Sequence, residues 1–173
     1  MIGIIILIKK KIKDKNMTNS SILEKLDLKN KTALVTGASR GLGRRFSTVL
    51  SKMGANVVLA ARNKDKLKET EEIIKNFNGE CFTVDIDVNS EESISRAFEK
   101  AENKYGEISI LINNAGIAVS KSSLKTSIED WDNVINTNLR GVFACSKVFA
   151  NNLVNKKIPG KIVNISSIAA EIV

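Results

Sequence analysis

From Lys31 onward, short apolar runs alternate with stretches whose apolar residues recur at helical spacing. Thr32–Thr36 reads as a first strand. Leu42, Phe46, Val49, Leu50 and Met53 mark a helix that Gly54 stops. Asn56–Ala60 is a second strand, and Leu67, Thr70, Ile74 and Phe77 mark a second helix ended by Asn78-Gly79. Glu80–Ile86 is a third strand. Asn89 or Ser90 caps a third helix, with Glu91 and Glu92 suiting its dipole and Ile94, Ala97, Phe98, Ala101 and Tyr105 forming its buried stripe. Ile108–Ile112 is almost wholly apolar, as a central parallel strand should be. Ser127, with Asp130 as a capping-box partner, opens one long helix carrying Trp131, Val134, Ile135, Leu139, Val142, Phe149 and Leu153. Pro159-Gly160 breaks the pattern before a fifth strand, Lys161–Ile165. Strands alternating with helices predict an α/β fold, a doubly wound parallel sheet with right-handed crossovers.

Composition narrows the chemistry. With 173 residues the chain is expected to form one domain, Met17 to Val173. It has no histidine, which excludes His general bases, His-based triads and the usual zinc sites, and no metal site is expected. Cys81 and Cys145 are far apart and read as small buried hydrophobes in a reducing, cytoplasmic setting. The net charge is +8, and five lysines against Asp14 place +4 of it in Met1–Asn16. The remainder is scattered, which fits a solvated surface better than a nucleic-acid face. That leader is apolar over Ile2–Ile8 and too short to span a bilayer, which takes about 20 residues. It reads as a disordered or misassigned extension, with a weak interfacial anchor as the alternative.

The candidate chemistry starts at Thr36-Gly37-Ala38-Ser39-Arg40-Gly41-Leu42-Gly43, a glycine-rich turn between strand and helix. Such a turn lets a pyrophosphate approach the backbone and meet the positive end of the new helix. Gly37, Ser39, Arg40, Gly41, Leu42 and Gly43 are therefore candidate cofactor-binding residues. The second strand runs into Ala61-Arg62-Asn63, with no carboxylate where NAD-binding folds place one for the ribose 2′-hydroxyl. A guanidinium there suits a 2′-phosphate, and Arg40 and Ser39 could close on the same group. NADP is expected over NAD; two solvated arginines are the alternative. Asp87 follows the third strand, Asn113-Asn114-Ala115-Gly116 ends the fourth, Asn138 lies inside the long helix, and Ser167 follows the fifth strand. A serine placed there can bond a substrate carbonyl.

The glycine spacing, the Asn-Asn-Ala-Gly tetrad, Asn138 and Ser167, met in this order from Leu28 onward, resemble the short-chain dehydrogenase/reductase family. Within it the chain is similar to members related to 3-oxoacyl-carrier-protein reductase, gluconate 5-dehydrogenase and glucose dehydrogenase. The resemblance implies a Rossmann-type sheet and hydride transfer between NADPH and a carbonyl or alcohol substrate. It implies that Asp87 contacts the adenine amino group and that Asn114, Ala115 and Gly116 lie against the cofactor. It implies that Asn138 bends its helix and orders a relay water, and that Ser167 is catalytic. The family completes its site with Tyr-x-x-x-Lys after the serine, and assembles through the long helix. No such motif lies within the 173 residues, whose one tyrosine is Tyr105. The expectation is a C-terminally truncated fold with an open last strand and an apolar patch beside it, inactive as it stands. A non-catalytic nucleotide-binding fragment is the competing reading, and membrane or nucleic-acid association through the leader a weaker one.

Overall fold

The structure, a computed structural model, describes residues 26–167. The leader lies outside the described residues. Five parallel strands form one sheet in the order β3-β2-β1-β4-β5: β1 (Thr32–Thr36), β2 (Asn56–Ala61), β3 (Cys81–Asp85), β4 (Ile110–Asn113) and β5 (Lys161–Asn164). The helices between them are α1 (Gly41–Lys52), α2 (Lys64–Lys75), α3 (Glu91–Tyr105), α4 (Ile128–Ile135) and α5 (Gly141–Lys156). The chain steps outward from β1 to β3, then returns to lay β4 on the other side of β1. Strand order thus reverses between β1 and β4, the place where open α/β sheets leave a crevice at their carboxyl ends.

Alternate residues of the central strands feed two cores. Leu34, Val58, Ala60 and Leu111 meet Ile94, Ala97, Phe98 and Ala101 of α3 and Cys145, Phe149 and Leu153 of α5. Val35, Val57, Leu59 and Ile112 on the opposite face meet Leu67 and Ile74 of α2, with Phe46 and Leu50 of α1 packed alongside. Strands buried on both faces explain the near-continuous apolar runs of β1, β2 and β4. Ser90 is the cap of α3, accepting from the Ser93 N–H, and Ser127 and Asp130 form the expected capping box on α4.

Two helix faces differ from the sequence reading. The buried positions of α1 are Gly43, Ser47, Thr48 and Ser51, while Leu42 is 60% exposed. Small residues let this helix lie close to the sheet, and Ser47 and Thr48 satisfy their hydroxyls on the carbonyls one turn back, Gly43 and Arg44. The long helix is not uniform: a π turn, Asn136–Arg140, separates α4 from α5. α4 has no buried residue, so Ile128 and Trp131 (60% exposed) face solvent, and Leu139 in the π turn is exposed too. Apolar periodicity marks a helix without saying what it packs on; this face has no partner among the described residues.

Among those residues β5 pairs with β4 alone, Ile162 and Val163 are 41% and 45% exposed, and Phe143 and Val154 of α5 are exposed too. This is the open edge and apolar surface that the sequence led us to expect. No helix of the described residues is long and apolar enough to cross a membrane.

Both cysteines are free. Burial pushes the Cys145 thiol up to about 12, and burial, with Glu71 adding, pushes Cys81 up to about 11. A raised pKa keeps the thiol protonated, so reactivity rises only as pH climbs toward those values. Native protein at neutral pH should therefore react with iodoacetamide far more slowly than denatured protein at both positions, read by peptide mass spectrometry. Equal rates in the two states would contradict the packing.

Candidate functional site

The carboxyl ends of β1 and β4 are tied together. Thr36 Oγ1 accepts the N–H groups of Asn114 and Ala115, both at 3.0 Å, and donates to the Ile112 carbonyl at 3.4 Å. Asn114 Nδ2 returns bonds to the carbonyls of Thr36 (3.0 Å) and Gly37 (3.3 Å). Asn113 is buried and turns the other way, donating to Ser146 of α5 at 2.9 Å and to Asn164 of β5 at 2.8 Å. One asparagine of the pair holds β1 and the other holds β5.

Beside this junction lies a cleft of about 520 Å³, within the range of small-molecule and cofactor sites. It brings together Gly37, Ser39, Arg40, Gly41 and Leu42 of the turn, Arg62, Asp87, and Asn114, Ala115 and Gly116. These come from four separate stretches of the chain and nearly complete the sequence-derived cofactor set. Gly43 is absent from the lining. A Cβ there would sit 2.2 Å from the Gly37 carbonyl oxygen and 2.5 Å from Asn114 Nδ2. Its bareness serves close packing of helix on turn rather than approach of a ligand. Gly41 is the reverse case: φ is +56° and a Cβ would meet nothing within 4 Å.

The cleft also gathers residues not named from the sequence as cofactor candidates, among them Asn63, Lys66, Val88, Asn89 and Thr137. Lys66 stands four residues past Arg62 and on the first turn of α2, a spacing that could have flagged it. Asn63 caps that helix, accepting from the Lys66 N–H at 2.9 Å. Asp87 is the only carboxylate in the lining; its Oδ1 accepts from the Asn89 N–H at 3.0 Å. Among the described residues, Lys64 takes Asp85 and Arg44 takes Glu69, while Arg40, Arg62 and Lys66 pair with no carboxylate. Three cations therefore converge on a cleft with one acid.

Asn138 and Ser167 do not line the cleft. Asn138 sits in the π turn and clamps the loop after β4, accepting from the Ile117 N–H at 2.9 Å and donating to the Ile117 carbonyl at 2.8 Å. Its neighbours in that turn hold the other side: Thr137 Oγ1 accepts from Asn89 Nδ2 at 3.2 Å, and Arg140 donates to the Asn89 carbonyl at 3.3 Å and to Glu91 at 3.2 Å. The π turn thus touches both the cleft rim and the loop beyond Gly116. Ser167 is exposed, three residues past the end of β5.

The family model for short chain dehydrogenases matches residues 31–172. The chain belongs to the short-chain dehydrogenase/reductase family. Curated relatives include 3beta-hydroxysteroid dehydrogenase 1 of Eggerthella lenta, 38% identical over 82% of this chain. They also include a 3-oxoacyl-acyl-carrier-protein reductase of Aquifex aeolicus, 36% identical over 83%. The chain spans 55% and 58% of those two relatives, little more than half their length. Among solved structures, a short-chain dehydrogenase/reductase from Mycobacterium marinum superposes with a TM-score of 0.86 at 29% identity, covering 88% of this chain and 62% of that one. A metagenomic short-chain oxidoreductase in complex with NADP gives 0.76 at 33%, covering 81% and 63%. The family is one of oxidoreductases that bind nicotinamide cofactors.

The two glycines separate packing from ligand space. Gly41→Ala should cost about 1–2 kcal/mol, the strain of a side chain in the left-handed region. Gly43→Ala should cost about 3 kcal/mol, because the nearest obstructing atom, the Gly37 carbonyl oxygen, is backbone and cannot swing away. Denaturant midpoints would check this; a milder loss for Gly43→Ala than for Gly41→Ala would contradict the assignment.

Proposed function

We propose that the cleft binds a nicotinamide dinucleotide, with NADP preferred to NAD, as the cofactor half of a carbonyl–alcohol oxidoreductase. The convergence of Arg40, Arg62 and Lys66, none paired with a carboxylate, carries the preference. Where NAD-binding folds place an acid, this chain has Ala61 and Arg62. Guanidinium groups bind a phosphate monoester through charge and paired donors, and Ser39 adds a hydroxyl. The glycine turn receives the pyrophosphate at the N-terminus of α1, where free N–H groups and the helix dipole favour anions. Asp87 takes the adenine edge, and Asn114, Ala115 and Gly116 form the wall on the β4 side.

The bound dinucleotide supplies or accepts the hydride. The chain's own contribution is to hold the reacting face toward the end of β5, where Ser167 bonds the substrate oxygen and polarises the carbonyl. Asn138, by clamping Ile117 from the π turn, shapes the floor of that region and supports a relay water. The proton itself is the business of a Tyr-x-x-x-Lys pair, which these 173 residues do not include. Tyr105 does not substitute. Its ring meets Phe82 edge-on within the core, its hydroxyl is buried without a partner, and burial, with Glu80 adding, pushes it up to about 12. These residues by themselves bind nucleotide and do not turn over. The exposed apolar residues Trp131, Leu139, Phe143 and Val154 suit a second copy of the chain, and two free thiols suit the cytoplasm.

Calorimetric titration of the Arg40→Ala and Arg62→Ala variants tests the reading. Each should weaken NADPH by about 10- to 100-fold, the value of a charge-assisted contact, and leave NADH within about twofold. Equal affinity of the unaltered chain for both dinucleotides would contradict the preference, and carbonyl reduction by the purified 173-residue chain would contradict the missing proton donor.

A further inference from the structure

Arg44 lies outside the cleft lining, yet its side chain makes three hydrogen bonds close by. From the first turn of α1 its Nη2 donates to the Ser39 carbonyl at 2.8 Å and to Glu69 Oε2 at 2.6 Å, while Nε donates to Thr70 Oγ1 at 3.0 Å. Thr70 is fully buried, and its hydroxyl shares its one proton between the Ala38 carbonyl of the turn at 3.1 Å and the Lys66 carbonyl of its own helix at 3.2 Å. Two successive carbonyls of the glycine turn are thus held by a brace that ends on α2.

We infer that Arg44 is a positioning residue for the 2′-phosphate end of the cleft, acting through this brace rather than by touching the ligand. The inference rests on the cofactor reading above. A trans peptide is planar, so fixing the Ser39 carbonyl fixes the plane that leads into Arg40 and sends the Arg40 N–H the opposite way. Arg40 is the cap position of α1 and has no side-chain cap bond to hold it. The same guanidinium is tied to Glu69 and Thr70, on the helix whose first turn carries Lys66 and which follows Arg62-Asn63. The brace therefore sets the separation of two cation-bearing segments, Arg40 on the turn and Arg62 with Lys66 on the β2–α2 connection. Those segments repel one another when no anion lies between them. Two arginines on different elements share one phosphate well only when their spacing is held beforehand. Glu69 also neutralises Arg44, so the brace adds no net charge to the cleft.

Arg44→Ala and Arg44→Lys in the full 173-residue chain separate the possibilities. Lysine keeps the charge but cannot send donors from a planar fork to Ser39, Glu69 and Thr70 at once. Both variants should lose NADPH affinity by about tenfold, with NADH held within about twofold, so that the preference collapses while NADH still binds. Arg44→Lys with unaltered preference would overturn the inference, since charge alone would then suffice. Equal weakening of both dinucleotides would overturn it as well, marking Arg44 as merely structural. Should the Arg44 variants fail to fold, Thr70→Val and Glu69→Gln carry the same comparison, with an expected loss of about threefold confined to NADPH, and no selective loss would again overturn it. Failure of the cofactor reading looks different: the unaltered chain itself would show no preference for NADPH.

Discussion

The structure depends on how closely β1 and β4 can be brought together at their carboxyl ends. Four hydrogen bonds cross that junction: the Thr36 hydroxyl accepts the N–H groups of Asn114 and Ala115, and the Asn114 amide donates to the carbonyls of Thr36 and Gly37. The Gly43 backbone sits directly under the Gly37 carbonyl, leaving no room for a methyl group. Buried backbone groups that leave a sheet must find new partners or lose the full desolvation cost. Here the partners are side chains of the opposite strand, so the junction is satisfied without water and without bulk. The cleft follows from that economy of volume: the loops after β1 and β4 diverge from a fixed point and enclose space between them.

What lines that space is decided by charge. An acid at the end of β2 would favour a ribose hydroxyl; on the proposed reading, Arg62 in its place, with Arg40 and Lys66 nearby, would favour a phosphate. The remaining polar contacts are spent on geometry. Arg44, Thr70 and Glu69 join the turn to α2, and the π turn joins the cleft rim at Asn89 to the loop at Ile117. A π turn costs helix regularity and is found where a side chain must be delivered out of the helical phase. Here it delivers Thr137, Asn138 and Arg140 to separate neighbours.

Most of the strands and helices were legible because their periodicities are strong and glycine, proline and capping residues punctuate them. β1, β2, the serine cap of α3 and the capping box of α4 are where the residues say they should be, to within a residue or two. The convergence of the turn with Arg62, Asp87 and Asn114 was legible too, since sheet order dictates which loops meet. Less visible was anything set by a partner rather than by a pattern. Leu42 and Trp131 fit amphipathic stripes and yet face solvent, because the faces that pack are lined by Ser47 and Ser51 in one helix and begin only at Thr137 in the other. Gly43 looked like ligand space and is packing space. Lys66 and Arg44 are ordinary helical cations until the fold shows which carbonyls and which cleft they approach.

The central claim is that the cleft where β1 and β4 part is the nucleotide site. Amide chemical-shift mapping of the 173-residue chain with ADP-ribose, which carries the adenosine, the pyrophosphate and the second ribose without a nicotinamide, addresses it directly. The account predicts perturbations clustered at Gly37–Leu42, Arg62–Asn63, Asp87–Asn89 and Asn114–Gly116, with the β5 edge and the exposed face of α4 unmoved. Shifts centred on β5 or α4, or none at saturating ligand, would contradict it.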